Sequence, residues 1–555
     1  MSLYTKDFLR VSDYGFSFLK KQLDASIPSL HTIKKIRSEL NKNFEIEKLG
    51  DGCLINPKIA ITEKLKTLYG KSPSIFEDNR IKIKLSADGT NISRKIKILN
   101  VIFSVINEDI KAATASGSYL FALAPYEKEN YDEITPLMAR TWDLIKGFNE
   151  IHLENVVKYI DLFVCADYKM NLNLAGLKNA NSMEPCLYCT AAKKHLHDIG
   201  KYRRVLVDET LTVLEDGKKL CEILDEDFQD FAVYDFINNE KESHWIHSDK
   251  MLLKLPIFRF IIDLLHLFLR ISDKLFVNLI EQIKIIDNFS DNYNPKKHKN
   301  ITILISYLKE CRIPINESFY NDNLISKIFT SLQGPDRLKL FNRLDKDDSF
   351  FLMLKSISSL DKYEDIYTIW KDFYSLLKSI KSDQPPDLDI SQAKINNWFR
   401  KYVQIYTKDK VTPYIHMFNY HLIDQFKKYG NINFFSTQGL EKLNDLSTQN
   451  FFKSTNKKDY CYQILQRSMR MDYLDSLLKL KPKVKYPRKL DAESESYPTN
   501  ENVDNNIDEK IFEIDDETDE SQIMAETLDS NQNLMKRKID SYLMSDVKKM
   551  KESIE

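Results

Sequence analysis

Glycine and proline are scarce in this chain, 13 and 16 in 555 residues. Both residues make tight turns, so their scarcity argues against an all-β fold of many short hairpins. Seven cysteines over this length are too few for a disulfide scaffold and point to a reducing compartment. Long apolar runs are missing as well. The longest, Leu255 to Leu269, contains Pro256, Arg259, Asp263 and His266. It is too short and too charged to span a bilayer. No apolar stretch follows Met1 as a secretory signal would require. The expectation is an intracellular protein without a membrane partner.

What remains is plentiful Leu, Ile and Lys, with 43% hydrophobic and 29% charged residues. That is enough apolar material for real cores, and much helix is expected. At roughly 100–200 residues per domain the chain holds about three units. The net charge of −1 conceals an asymmetry. Residues 491–555 carry 19 acidic and 7 basic side chains, a net −12, which leaves +11 on residues 1–490. A basic body with an acidic tail suits a polyanion-binding core, and equally an ordinary lysine-rich surface beside a solvated end.

Residues 1–75 read as helical. Ile27, Leu30, Ile33, Ile36 and Leu40 recur at helical spacing, with Lys34, Lys35, Arg37 and Lys42 off that face. That pattern suits a helix touching DNA backbone or a plain surface helix. From residue 81 the period becomes two: Ile81, Ile83, Leu85 and Ala87 mark a half-buried strand. Residues 95–107 and 117–126 make two more strands. The next segment reads as a helix capped by Thr135 with Pro136 in its first turn. VVKYIDLFVCADY then reads as a strand buried on both faces. The order β-β-β-α-β defines a mixed sheet for residues 76–204. Residues 205–410 follow a helical pattern, as do 411–485. Residues 486–555 lose apolar content and carry a disorder signature.

Chemistry-bearing residues fall in three places. Asp88 stands in ADGT and Asp167 in CADY, each at an expected strand end; carboxylates on adjacent strands could share Mg²⁺ or Mn²⁺. An Asp-Gly is also an ordinary turn. Cys186 and Cys189 form a C-x-x-C, the spacing of a zinc half-site. Its other ligands could be local, His195 and His197, or distant, His416 and His421. On a regular helix a H-x₄-H pair lies about 140° apart, so the distant pair needs irregular winding. Finally, Ser436 could cap a helix that carries Glu441 near its positive end, where a carboxylate completes a metal site or is merely solvated.

Taken in order, ADGT, CADY, CLYC, DLLH, YIHMFNYH and GLEKLN resemble the catalytic core of the V(D)J recombinase large subunit and the Transib-type transposases. Asp167 precedes Cys186 by nineteen residues and Glu441 follows His421 by twenty, spacings that the family shares. Asn444 reproduces its E-x-x-N. The resemblance covers roughly residues 80–475. It implies an RNase H-like mixed sheet interrupted by a long helical insertion. It further implies a catalytic triad of Asp88, Asp167 and Glu441 holding two Mg²⁺ or Mn²⁺. Zinc would lie on Cys186, Cys189, His416 and His421, and His266, beside Asp263, would approach the scissile phosphate. The implied function is DDE-type cutting and joining of double-stranded DNA in the nucleus, by a homodimer with an accessory subunit. The alternative is a domesticated, non-catalytic DNA-binding or protein-interaction module of the same fold. Neither the family's upstream ubiquitin-ligase region nor an obvious separate terminal-repeat-binding domain is expected from this sequence.

Overall fold

A computed structural model describes residues 2–23, 27–154, 156–200, 202–207, 210–215, 251–289, 294–313, 334–382 and 387–477. The expected tail, 486–555, lies outside them. The chain divides into two compact units. One comprises Met1–Asn278 and Asp365–Lys485, and the other includes Leu279–Glu364. The insertion expected at 205–410 is therefore shared between them.

The first unit is built on a seven-stranded mixed sheet in the order β1-β2-β5-β4-β3-β7-β6. Its strands are β1 (Ile46–Leu49), β2 (Gly52–Ile55), β3 (Arg80–Asn91), β4 (Lys97–Val105), β5 (Tyr119–Pro125), β6 (Glu150–Leu153) and β7 (Val156–Val164). The expected β-β-β-α-β is present as β3, β4, β5, the helix Tyr131–Ile145 and β7, with β7 parallel to β3. Alternation works as anticipated on one face of β3, where Ile81, Ile83, Leu85 and Ala87 are buried. The other face is covered as well, because Lys84 and Ser86 are also buried.

Several details depart from the sequence reading. Region 1–75 is not all helix. Between the helices Leu30–Lys42 and Pro57–Lys71 it holds the β1–β2 hairpin, closed by Gly50 at φ 58° and Asp51. Positive φ suits Gly in such a two-residue turn. Helix Tyr131–Ile145 starts four residues before Thr135: Asn130 is its cap, accepting from the Glu133 N–H at 3.0 Å, and Pro136 lies inside the helix. Strand β7 is buried on both faces only in its second half. Val156, Val157 and Tyr159 are exposed in its first half, where it pairs with β6. The helical pattern expected from 205 does not hold at its start, since Tyr202–Val207 and Thr210–Glu215 pair as a hairpin.

Helices follow among the described residues of the first unit, including Leu388–Tyr406, Pro413–Tyr420, Leu422–Tyr429, Gln438–Ser454 and Tyr460–Leu477. The last two lie against the β2/β4/β5 side of the sheet, where Leu440, Phe451, Ile464 and Leu465 join Ile98, Ile102 and Leu123 in one apolar cluster. The described residues of the second unit form helices, Lys299–Glu310, Gly334–Lys346 and Ser349–Ser356 among them. No helix among the described residues is long and apolar enough to cross a membrane.

Candidate catalytic and metal sites

Register places the two aspartates. The last parallel pair between β3 and β7 is Leu85 with Val164. Asp88 and Asp167 each lie three residues beyond it, so both emerge at the same end of neighbouring strands. Asp88 does not end its strand as expected. It remains paired with Asn100 of β4, while β7 has already turned away. Asp167 caps the helix Tyr168–Leu174, accepting from the Met170 N–H at 2.6 Å.

Glu441 reaches the same place from 353 residues further along the chain. It occupies the first turn of Gln438–Ser454. Ser436 is not the cap expected for this helix. Thr437 holds that position, and buried Asp263 accepts from its N–H at 3.1 Å and its hydroxyl at 2.7 Å. Buried Lys84 of β3 donates to the Ser436 carbonyl at 2.7 Å and ties the helix entry to the sheet. Gly439 permits close approach, because a Cβ there would meet Thr114 O at 2.5 Å.

His266 links these parts. Its Nδ1 lies 2.5 Å from Asp263 Oδ2, and its Nε2 lies 3.6 Å from Glu441 Oε1. His266 is pushed up to about 9 against its burial, by Asp263 first and then by Asp167 and Glu441. Asp263 is held down at about 2 against its burial, by His266 and Thr437. The pair is therefore ionised at neutral pH.

The carboxyl groups of the triad crowd one another. Asp88 is pushed well above the usual carboxylate range by burial, then by Glu441 and Asp167. Burial also raises Glu441; Asp263 and Asp167 add to that, and His266 opposes it. Asn444, one helical turn after Glu441, donates to Asp88 at 2.5 Å. It accepts from Asn100 at 2.6 Å, and Ser447 donates to Asn100 in turn. This chain of amides locks β3, β4 and the Glu441 helix together. The span is wider than a single-ion cage. The triad is not among the groups whose donor atoms all lie within 4.8 Å of one another.

Sequence reasoning missed Tyr126 and Glu129, which follow β5. A Cβ on Gly89 would collide with Tyr126 and come within 3.0 Å of Glu129 Oε2. Burial and then Asp167 raise the Glu129 carboxyl, while Lys169 at 3.5 Å opposes them. These two residues sit in no recognisable motif, and an acidic residue in a loop carries no signal of its own. Asn100 and Lys84 were also hidden, as polar residues inside strands.

The second constellation is a compact group of four. Cys186, Cys189, His416 and His421 are completely buried, with donor atoms within 4.8 Å of one another. Cys186 Sγ lies 3.4 Å from His421 Nε2, Cys189 Sγ 3.3 Å from His416 Nε2, and the two Nε2 atoms 3.2 Å apart. Tetrahedral zinc with ordinary bond lengths separates its ligand atoms by about 3.3–3.8 Å. The group could therefore bind a metal, and its donor set is compatible with zinc. His416 donates from Nδ1 to the Leu196 carbonyl at 2.9 Å, which orients Nε2 toward the cluster. The irregular winding that H-x₄-H demanded is present. Helix Pro413–Tyr420 ends at His421, whose φ of −125° breaks it from Leu422–Tyr429. His195 and His197 are not part of this group; they lie beside Asp198 in a more exposed cluster.

Hydrogen bonds connect the cluster to the carboxylate site. Tyr188, between the cysteines, and Gln425 both donate to the Phe260 carbonyl at 2.9 Å. Phe260 bridges to Val164 at the end of β7 and lies three residues before Asp263. No family model matches this chain, and no curated protein matches it.

Proposed function

We propose that this chain is the catalytic core of a transposon-derived DDE recombinase that cuts and joins DNA phosphodiesters. The observation that supports this reading most is the convergence of Asp88, Asp167 and Glu441 from three distant segments, with cationic His266 beside them. Such crowding of negative charge costs free energy unless cations offset it. The three carboxylates would hold two Mg²⁺ or Mn²⁺, the pair of ions found about 3.5–4 Å apart in two-metal sites. Bound there, such ions supply activation of the attacking oxygen and stabilisation of the leaving one.

The remaining roles belong to the protein. Asn444 and Asn100 hold Asp88 in place, so its carboxylate is already oriented when substrate arrives. Asp263 keeps His266 protonated and aimed at the site, where it would neutralise charge on the scissile phosphate. Asp263 also holds Thr437, the cap of the Glu441 helix, so one carboxylate positions both groups. Zinc on Cys186, Cys189, His416 and His421 would fix the Tyr188–Phe260 contact behind the site.

The test is nicking of supercoiled plasmid with Mg²⁺. Nicking should require the metal and fall on the order of 10²–10³-fold in Asp88→Asn, Asp167→Asn and Glu441→Gln, the loss expected on removing one preorganised electrostatic group. DNA binding should survive. Parallel loss of binding and cleavage, or no cleavage by the wild type, overturns the enzyme reading. Retention on DNA without any cleavage would leave the non-catalytic binding module.

A further inference from the structure

Away from the carboxylate site, the first unit contains a cavity of about 340 Å³ between the N-terminal helices and the helix Tyr460–Leu477. It is lined by six cationic side chains, Lys6, Arg10, Arg37, Lys453, Arg467 and Arg470, and by two carboxylates, Asp7 and Asp13. Lys6 is matched by Asp13 at 3.0 Å, and Asp13 is shared with Lys34 at 2.7 Å. Asp7 alone serves three arginines: Arg37 at 2.9 Å, Arg470 at 2.7 Å and Arg467 at 3.9 Å. Arg10 and Lys453 make no ion pair among the described residues; Arg10 has only the amide oxygen of Asn450 at 3.5 Å. The Nε of Arg37 is buried without a hydrogen-bond partner.

Such a lining is under-neutralised. Burial and the repulsion of Arg10, Arg470 and Arg37 bring Arg467 down to about 10, against the pull of Asp7. A buried guanidinium without a full set of acceptors costs stability unless an anion completes it. The planar donor fork matches phosphate oxygens, and several arginines can share one tetrahedral anion. A second cleft of about 470 Å³ shares Arg37, Asn41 and Gln466 with the first and adds Lys34 and Lys42. The basic lining therefore extends along a track and is not a single-ion hole.

We infer that this arginine cleft is a phosphate-binding site that grips the backbone of a DNA strand. Phosphate binding stands on the cleft alone; naming DNA as the source rests on the proposed recombinase function. Geometry supports that source. Lys453 lies twelve residues after Glu441 on one helix, about 18 Å at 1.5 Å per residue. Lys453 is also turned about 120° from Glu441 round that helix, so a strand winding across the helix would place about five phosphates, at 3.4 Å each, between the carboxylate site and the cleft.

The test uses the full chain without added Mg²⁺ or Mn²⁺, titrated with inorganic pyrophosphate and with a short random-sequence duplex. The charge reversals Arg10→Glu and Lys453→Glu are combined, because neither side chain holds a structural ion pair. Bound zinc and melting temperature check that the variant folds. Pyrophosphate binding should be lost, and the log–log salt slope for the duplex should become shallower by about two, one per lost phosphate contact. The charge-preserving pair Arg10→Lys with Lys453→Arg should behave as wild type. Unchanged titrations with both ligands overturn the site. Loss of pyrophosphate binding with an unchanged duplex slope makes it a site for free phosphate and overturns the DNA assignment. Plasmid nicking by the wild type is read separately. Its absence overturns the recombinase reading and leaves the slopes to judge the cleft.

Discussion

At the scale of residues, the site depends on one ion pair that does two things. Asp263 holds His266 cationic and at the same time accepts from Thr437 at the start of the Glu441 helix. The pair's pH dependence follows from the two shifts. His266 is raised from 6.5 to about 9, so its contribution is complete below about 6.5 and disappears as pH climbs through 9. Asp263 is lowered from 3.8 to about 2, so its contribution is complete above about 4 and disappears as pH falls through 2. Between pH 4 and 6.5 the pair should therefore stabilise most. Unfolding of wild type and His266→Gln, compared without added divalent cation, should differ by on the order of 2–3 kcal/mol in that window. The difference should shrink toward pH 9. A difference that grows above pH 7 would contradict the assignment.

At the scale of elements, the helix Gln438–Ser454 is the decisive piece, because it brings the third carboxylate to two strands that lie about 275 and 350 residues earlier in the chain. Its position depends on Gly439. Alanine is worth about 1 kcal/mol more than glycine inside a helix. Here the added Cβ would press on the Thr114 carbonyl and the Ser118 hydroxyl, and overpacking costs about 1–3 kcal/mol. Overpacking should win: Gly439→Ala should lower stability in urea melts and cut nicking by displacing Glu441. A stabilised variant would show that the approach is looser than the structure has it. The Cys/His cluster makes the second element-scale case. It joins Cys189 to a histidine 227 residues away, so its metal closes a very long loop. His416→Ala with His421→Ala should lose bound zinc and destabilise the fold by several kcal/mol. His195→Ala with His197→Ala should keep one zinc per chain. Metal analysis with thermal melts separates the two, and the reverse result would move the site to the local pair.

At the scale of the whole molecule, charge is divided between a basic body and the −12 of residues 491–555. An acidic segment tethered to a DNA-binding surface competes with DNA, and salt screens that competition. Deleting 491–555 should raise duplex affinity at low salt and leave nicking intact. The gain should fade as ionic strength rises. Equal affinity with and without the segment at every salt concentration would rule out self-masking.

What could be read from sequence was local or carried by spacing. Alternation in 81–87 located β3, the apolar run at 156–164 located β7, and C-x-x-C with H-x₄-H proposed four ligands that do meet. The 140° problem of that histidine pair even required the break found at His421. The tertiary structure decided the rest. The β1–β2 hairpin was overlooked because four-residue strands are too short to show a period, although Gly-Asp-Gly marked its turn. Which histidine pair joins the cysteines stayed open in the residues themselves, since two pairs had workable spacing and only packing chose between them. Glu129, Asn100, Lys84 and the arginine cleft left no trace in any local pattern. Glu129 meets Gly89 and Lys169 across about forty residues, and the others have neighbours hundreds of residues away: Asp7 with Arg470, Lys84 with Ser436, Asn100 with Asn444. A side chain's partner across such a loop is set by how the sheet and helices close on one another, and periodicity over a few residues carries no information about that closure.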